Sequence, residues 1–64
     1  MVKINGERLN VYGMTILDYL GTTNYDIKRI AVERNGNIVP KSMYGETLIQ
    51  EGDNIEIVSF VGGG

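Results

Sequence analysis

The 64 residues, 7.1 kDa in all, hold one small domain, and 42% apolar against 22% charged residues describe a chain that folds around a core. Neither Cys nor His is present, which excludes disulfides, thiol nucleophiles, thiolate or imidazole zinc sites and the usual general base, leaving only carboxylate-bound Mg²⁺ or Ca²⁺ as metal chemistry. The net charge is −2, split as +2 over residues 1–41 and −4 over residues 42–64, so the basic stripe of a nucleic-acid binder is missing, and no apolar run approaches the roughly 18 residues of a membrane span.

Val2-Lys3-Ile4 and Arg8-Leu9-Asn10-Val11 alternate apolar with polar residues around Asn5-Gly6. A type I′ turn needs positive φ at both central residues, so this pattern predicts a β-hairpin. Met1 leads straight into it without a charged leader, which places the protein in the cytoplasm as an expectation. After a break at Gly13, Thr15 is the expected N-cap of a short helix over Ile16 to Leu20, with Asp18 at the capping-box position and Gly21 as the stop. Ile16, Leu17 and Leu20 form its apolar face, expected to lie on a sheet.

The polar stretch from Gly21 to Asp26 reads as a loop. Ile30-Ala31-Val32-Glu33 predicts a strand, Asn35-Gly36-Asn37 a turn, and Ile38-Val39 a second strand that Pro40 ends. Lys41 to Gly45 fits a single 3₁₀ turn, Thr47-Leu48-Ile49 a short edge segment, and Glu51-Gly52-Asp53 a tight turn. The last strand runs from Asn54 to Val61, with Ile55 and Ile57 on one side and Glu56, Val58 and Phe60 on the other. Two hairpins joined through a helix, with a late strand, predict an α+β fold of the β-grasp type: a small mixed sheet on one short helix, with the last strand in the middle. The domain is then residues 1–61, followed by a flexible glycine tail over residues 62–64.

Catalysis within the chain is not expected, since Ser42, Ser59 and the threonines have no base to activate them. Glu46, Glu51, Asp53 and Glu56 lack the dense oxygen-ligand spacing of a calcium loop and read as a solvated acidic face, so no metal site is assigned. Gly62-Gly63-Gly64 is either a frayed end or a reagent. Glycine has no side chain and accepts almost any backbone conformation, so such a tail threads a narrow tunnel and brings its carboxylate to another protein's active site. Joining that carboxylate to AMP through ATP turns a poor electrophile into a mixed anhydride open to attack by sulfur. Val58 and Phe60, with Glu56, would then form a docking patch beside the root of the tail, or else be covered by core or loop.

Ile30 to Pro40, followed by Glu51 to Gly64 with its Gly-Asp turn, Ile-Glu-Ile-Val strand and Gly-Gly end, resembles the ThiS family of sulfur carrier proteins of thiamin biosynthesis. The first half shares the hairpin-then-helix layout, while residues 21–29 carry no matching motif. The resemblance implies a ubiquitin-like β-grasp protein that is not itself an enzyme. Its terminal Gly64 would be adenylated by a ubiquitin-activating-type (ThiF-like) enzyme that consumes ATP, then converted to a thiocarboxylate. Sulfur would come from a donor such as a cysteine desulfurase and pass to thiazole synthase (ThiG-like). Gly62 and Gly63 would thread both partners' active sites, with Glu56, Val58 and Phe60 in the gripped surface. The acidic final third would suit a basic groove, an expectation that salt-insensitive association would overturn. The small subunit of molybdopterin synthase, another sulfur carrier, and a ubiquitin-like protein modifier remain the alternatives.

Overall fold

A computed structural model describes residues 1–60. Strands β1 (Val2–Ile4) and β2 (Glu7–Leu9) lead to helix α1 (Ile16–Leu20), then to β3 (Ile30–Arg34), β4 (Asn37–Val39) and β5 (Asn54–Ser59). Single 3₁₀ turns occupy Ile27–Arg29 and Lys41–Met43. The five strands form one sheet in the order β2-β1-β5-β3-β4, parallel between β1 and β5 and antiparallel elsewhere. The last strand is therefore central, as expected.

Both Asn-Gly turns take the left-handed geometry their residues favour: φ is 52° and 83° at Asn5 and Gly6, and 51° and 87° at Asn35 and Gly36. Helix α1 starts where Thr15 Oγ1 accepts the Asp18 N–H at 3.0 Å. It ends at Leu20 with Gly21 as its C-cap, as expected, and Gly21 stays in the right-handed helical region at φ −64°. The Thr22 and Thr23 hydroxyls donate to the Tyr19 and Leu20 carbonyls at 2.7 Å each, satisfying the last helical acceptors.

One sheet face and α1 enclose the core. Val2, Ile4, Ile30, Val32, Val39, Ile55 and Ile57 come from the strands and Ile16 and Leu20 from the helix. Leu17 departs from the expected helical face and stays 44% exposed. Neighbouring helical positions are rotated by about 100°, so a five-residue helix seats Ile16 and Leu20 on the sheet and turns Leu17 aside.

The space left beside the helix is filled by Tyr44 and Ile49, both buried. Tyr44 lies just after the second 3₁₀ turn, and burial, offset in part by a backbone bond from Val32, raises its hydroxyl pKa above the ordinary value. The predicted edge segment Thr47-Leu48-Ile49 joins no sheet. Its backbone turns to the helix start instead, where the Ile16 and Leu17 N–H groups donate to the Thr47 and Tyr44 carbonyls at 3.0 and 2.9 Å, and Thr15 and Leu48 form an isolated bridge. Donors at a helix N-terminus have no partner inside the helix, and this loop supplies one.

The solvated acidic face also needs correcting at Asp53, which is buried with its carboxylate fully bonded. It accepts from Arg34 Nε at 2.8 Å, Gln50 N–H at 2.9 Å and Asn35 Nδ2 at 3.0 Å. Burial pushes the Asp53 pKa up, but these bonds and the Arg34 charge outweigh it and hold the carboxyl below its usual value. Glu46, Glu51 and Glu56 are exposed, Glu51 pairing with the amino terminus.

Candidate functional site

Strand β5 alternates as its sequence dictates: Ile55 and Ile57 enter the core, while Glu56 and Val58 point to the opposite face, Val58 at 57% exposure. The strand ends at Ser59 rather than Val61. Phe60, 54% exposed, follows directly, its N–H donating to the Arg29 carbonyl at 2.6 Å. All three side chains expected at the docking patch thus lie in solvent along one stretch of backbone. Gly62, Gly63 and Gly64, with Val61 and the domain boundary beside them, lie outside the described residues.

Two residues read from sequence only as turn formers also hold this strand. Asn5 sits where β1 ends, and its side chain continues the ladder in place of the missing backbone. Its Oδ1 accepts the Ile57 N–H at 2.7 Å, and its Nδ2 donates to the Ile57 carbonyl at 3.1 Å and the Tyr25 hydroxyl at 3.2 Å. Asn35 does the same at the strand's start, its Oδ1 accepting the Asn54 N–H at 2.9 Å while Nδ2 reaches Asp53. Each turn asparagine therefore supplies both the left-handed backbone and a clamp on β5. An Asn-Gly pair signals the first role, but the second depends on a strand some fifty residues away for Asn5 and about twenty for Asn35.

Replacing Asn5 by Gly separates the two roles, since glycine keeps the positive φ and loses the amide. We expect a loss of about 1–2 kcal/mol for the two β5 bonds, with faster hydrogen exchange at the Ile57 amide than at Ile55. Unchanged exchange at Ile57 would show that the amide does not hold the strand.

The same outward face extends beyond the predicted patch. Glu56 stands opposite Glu33 and Val58 opposite Ala31, while Ile38 stands opposite Glu33 on β4. Ile38 is 67% exposed, the most open large apolar side chain of the described residues. The signal for these positions was present in the alternation of β3, because burying Ile30 and Val32 turns Ala31 and Glu33 outward. Among the described residues, no group of three or more acidic side chains is arranged to hold a metal ion. No helix there is long and apolar enough to cross a membrane.

The family model of the ThiS family matches residues 2–64, which takes in every strand, the helix and the terminal glycines. The chain belongs to the ThiS family. Sulfur carrier protein ThiS of Bacillus subtilis is 46% identical over 66 residues, a match spanning 100% of both chains. The crystal structure of a thiamine biosynthesis protein (ThiS) from Geobacter metallireducens superposes with a TM-score of 0.80 at 25% identity, covering 98% of this chain and 97% of that one. The fold is thus the ubiquitin-like β-grasp of ThiS structures.

A third relative is of a different kind. A thiazole synthase of Paramagnetospirillum magneticum is 48% identical over 62 residues, covering 95% of this chain. This ThiS-family chain spans only 19% of that protein's length, and only 20% of a second thiazole synthase, from Magnetococcus marinus. In both, a region like this domain is part of a much longer polypeptide.

Proposed function

We propose that this ThiS-family protein carries sulfur for thiamin thiazole biosynthesis as a thiocarboxylate on Gly64. The observation that supports this most directly is the end-to-end match to a sulfur carrier protein, with the family model reaching the terminal glycines. The fold suits the task because β5 is the central strand of the sheet, paired on both sides, and in sequence it ends just before those residues.

The chain acts as substrate rather than enzyme. A ThiF-like adenylating enzyme joins the Gly64 carboxylate to the α-phosphorus of ATP and releases pyrophosphate. The terminal persulfide sulfur of a donor such as a cysteine desulfurase then attacks the acyl carbon, a C–S bond forming as the C–O bond to AMP breaks. A thiol reductant cleaves the S–S bond of the resulting acyl disulfide to free the thiocarboxylate. The thiocarboxylate passes its sulfur to a ThiG-like thiazole synthase, a partner supported by the two long relatives of that name. The carrier holds no cofactor of its own, ATP being consumed by the adenylating enzyme, and works in the cytoplasm. Gly62 and Gly63 thread the partner tunnels, while Glu56, Val58 and Phe60, exposed side chains that precede the tail closely in sequence, seat the domain at the mouth.

Mass spectrometry of the C-terminal peptide tests the central step. Incubation with ATP, a sulfur donor and the adenylating enzyme should replace one oxygen by sulfur on the peptide Ile57 to Gly64, released by cleavage after Glu56. Oxidised methionine gives nearly the same mass change, and this peptide contains no Met. Absence of an ATP-dependent shift with an enzyme shown to be active overturns the proposal.

A further inference from the structure

Glu33 and Glu56 face each other directly across the pairing of β3 with β5. The residues beside them on each strand, Val32 and both Ile55 and Ile57, are buried, so the two carboxylates share the outward face with Ala31, Val58 and Ile38. Directly opposed side chains in an antiparallel pair have Cβ atoms roughly 5 Å apart, and like charges at that spacing oppose pairing. None of the ion pairs among the described residues includes either glutamate.

Three cations near the β3 side are engaged elsewhere. Arg34 is bonded to Asp53 at 2.8 Å, Arg29 lies 3.6 Å from Asp26, and Lys41 Nζ donates to the Ile30 carbonyl at 2.7 Å. Lys3 faces Arg8 on β2 and, on its β5 side, stands opposite Asn54, two positions along from Glu56, with which it forms no ion pair. The face is therefore divided into a basic half, an apolar strip and a pair of mutually repelling carboxylates within that strip. The repulsion is unfavourable in the free domain and turns to attraction when one cation enters between the two. A guanidinium suits the gap because its fork of donors spans two carboxylates at once.

We infer that the docking partner places an arginine between Glu33 and Glu56, with apolar side chains around it meeting Ile38, Ala31 and Val58, and that this partner is the thiazole synthase. The inference rests on the carrier role proposed above. The choice of thiazole synthase follows from the two relatives in which a region like this domain lies in one polypeptide with that name.

The test uses the full chain, the thiazole synthase of the same organism, and the variants Glu33→Gln and Glu56→Gln, with Glu46→Gln in the loop as control. Either sheet variant removes the repulsion, so the free protein should unfold at the same or a higher temperature than the parent. Its affinity for thiazole synthase should fall about tenfold, with a shallower dependence on salt, while Glu46→Gln leaves affinity unchanged. Parental affinity in Glu56→Gln, or no association of the parent itself, overturns the inference. The thiocarboxylate mass shift is read separately. Its absence alongside charge-dependent docking removes the carrier reading and keeps the interface, whereas its presence with charge-independent docking does the reverse.

Discussion

A Gly64→Tyr variant should keep the parent's thermal unfolding and lose thiocarboxylate formation by about a hundredfold or more, the cost of misplacing a reacting group by a small distance. The stability side of this expectation follows from the core, whose buried residues, among those described, run from Val2 to Ile57 and close around the sheet and helix α1. The chemical side follows from the proposed reaction, in which the carboxyl carbon must reach the α-phosphate of ATP and then a sulfur nucleophile within a channel shaped for backbone. A tyrosyl side chain on the reacting residue occupies that approach, whereas glycine leaves it clear. The peptide from Ile57 to residue 64 reports the chemistry and circular dichroism the fold. Sulfur incorporation at the parent's rate, or a lowered unfolding temperature, would contradict the account.

Replacing Asp53 by Ala is expected to have the largest effect on stability, about 2–3 kcal/mol, or a fall in midpoint of roughly 10–20 °C for a domain of this size. The carboxylate joins the end of β3 through Arg34, the second turn through Asn35 and the loop before β5 through the Gln50 N–H. Its removal leaves the Asn35 amide and the Gln50 N–H without their acceptor, while Arg34, partly exposed, regains water. The pH dependence has a definite sign. The folded pKa of Asp53 lies below its usual value, so the folded state binds the proton less readily than the unfolded chain. This stabilisation is complete above the unfolded pKa of about 3.9 and disappears as pH falls through the lower folded value. Urea unfolding at pH 7 and in the acid range should therefore show the parent losing stability on acidification more than Asp53→Ala. Parallel acid limbs would show that Asp53 does not carry the effect.

These expectations differ in how directly they come from local sequence. Strand alternation identified Ile55 and Ile57 as core and Glu56 and Val58 as outward, because a period of two leaves one choice once the apolar side is buried. Asn-Gly located both turns, since few other pairs tolerate two successive positive φ angles. The tail was legible as a motif rather than as geometry, and its chemistry was approached through resemblance.

Other features depended on partners distant in the chain. Asp53 looked like one of four acids near the C-terminus until Arg34 and Asn35 were brought beside it. Thr47-Leu48-Ile49 had the composition of a strand, yet its backbone met the open N-terminal donors of α1 before it could meet a sheet edge.

The five strands and the one helix, the Asn-Gly turns, the inward and outward sides of β5 and the family itself were contained in the order of residues, because each depends on neighbours within a few positions or on a contiguous motif. The burial of Asp53 and Tyr44, the asparagine clamps on β5 and the opposition of Glu33 to Glu56 were settled by folding. Each requires groups ten or more positions apart to meet, and the sheet order that brings them together is set by the packing of the whole core.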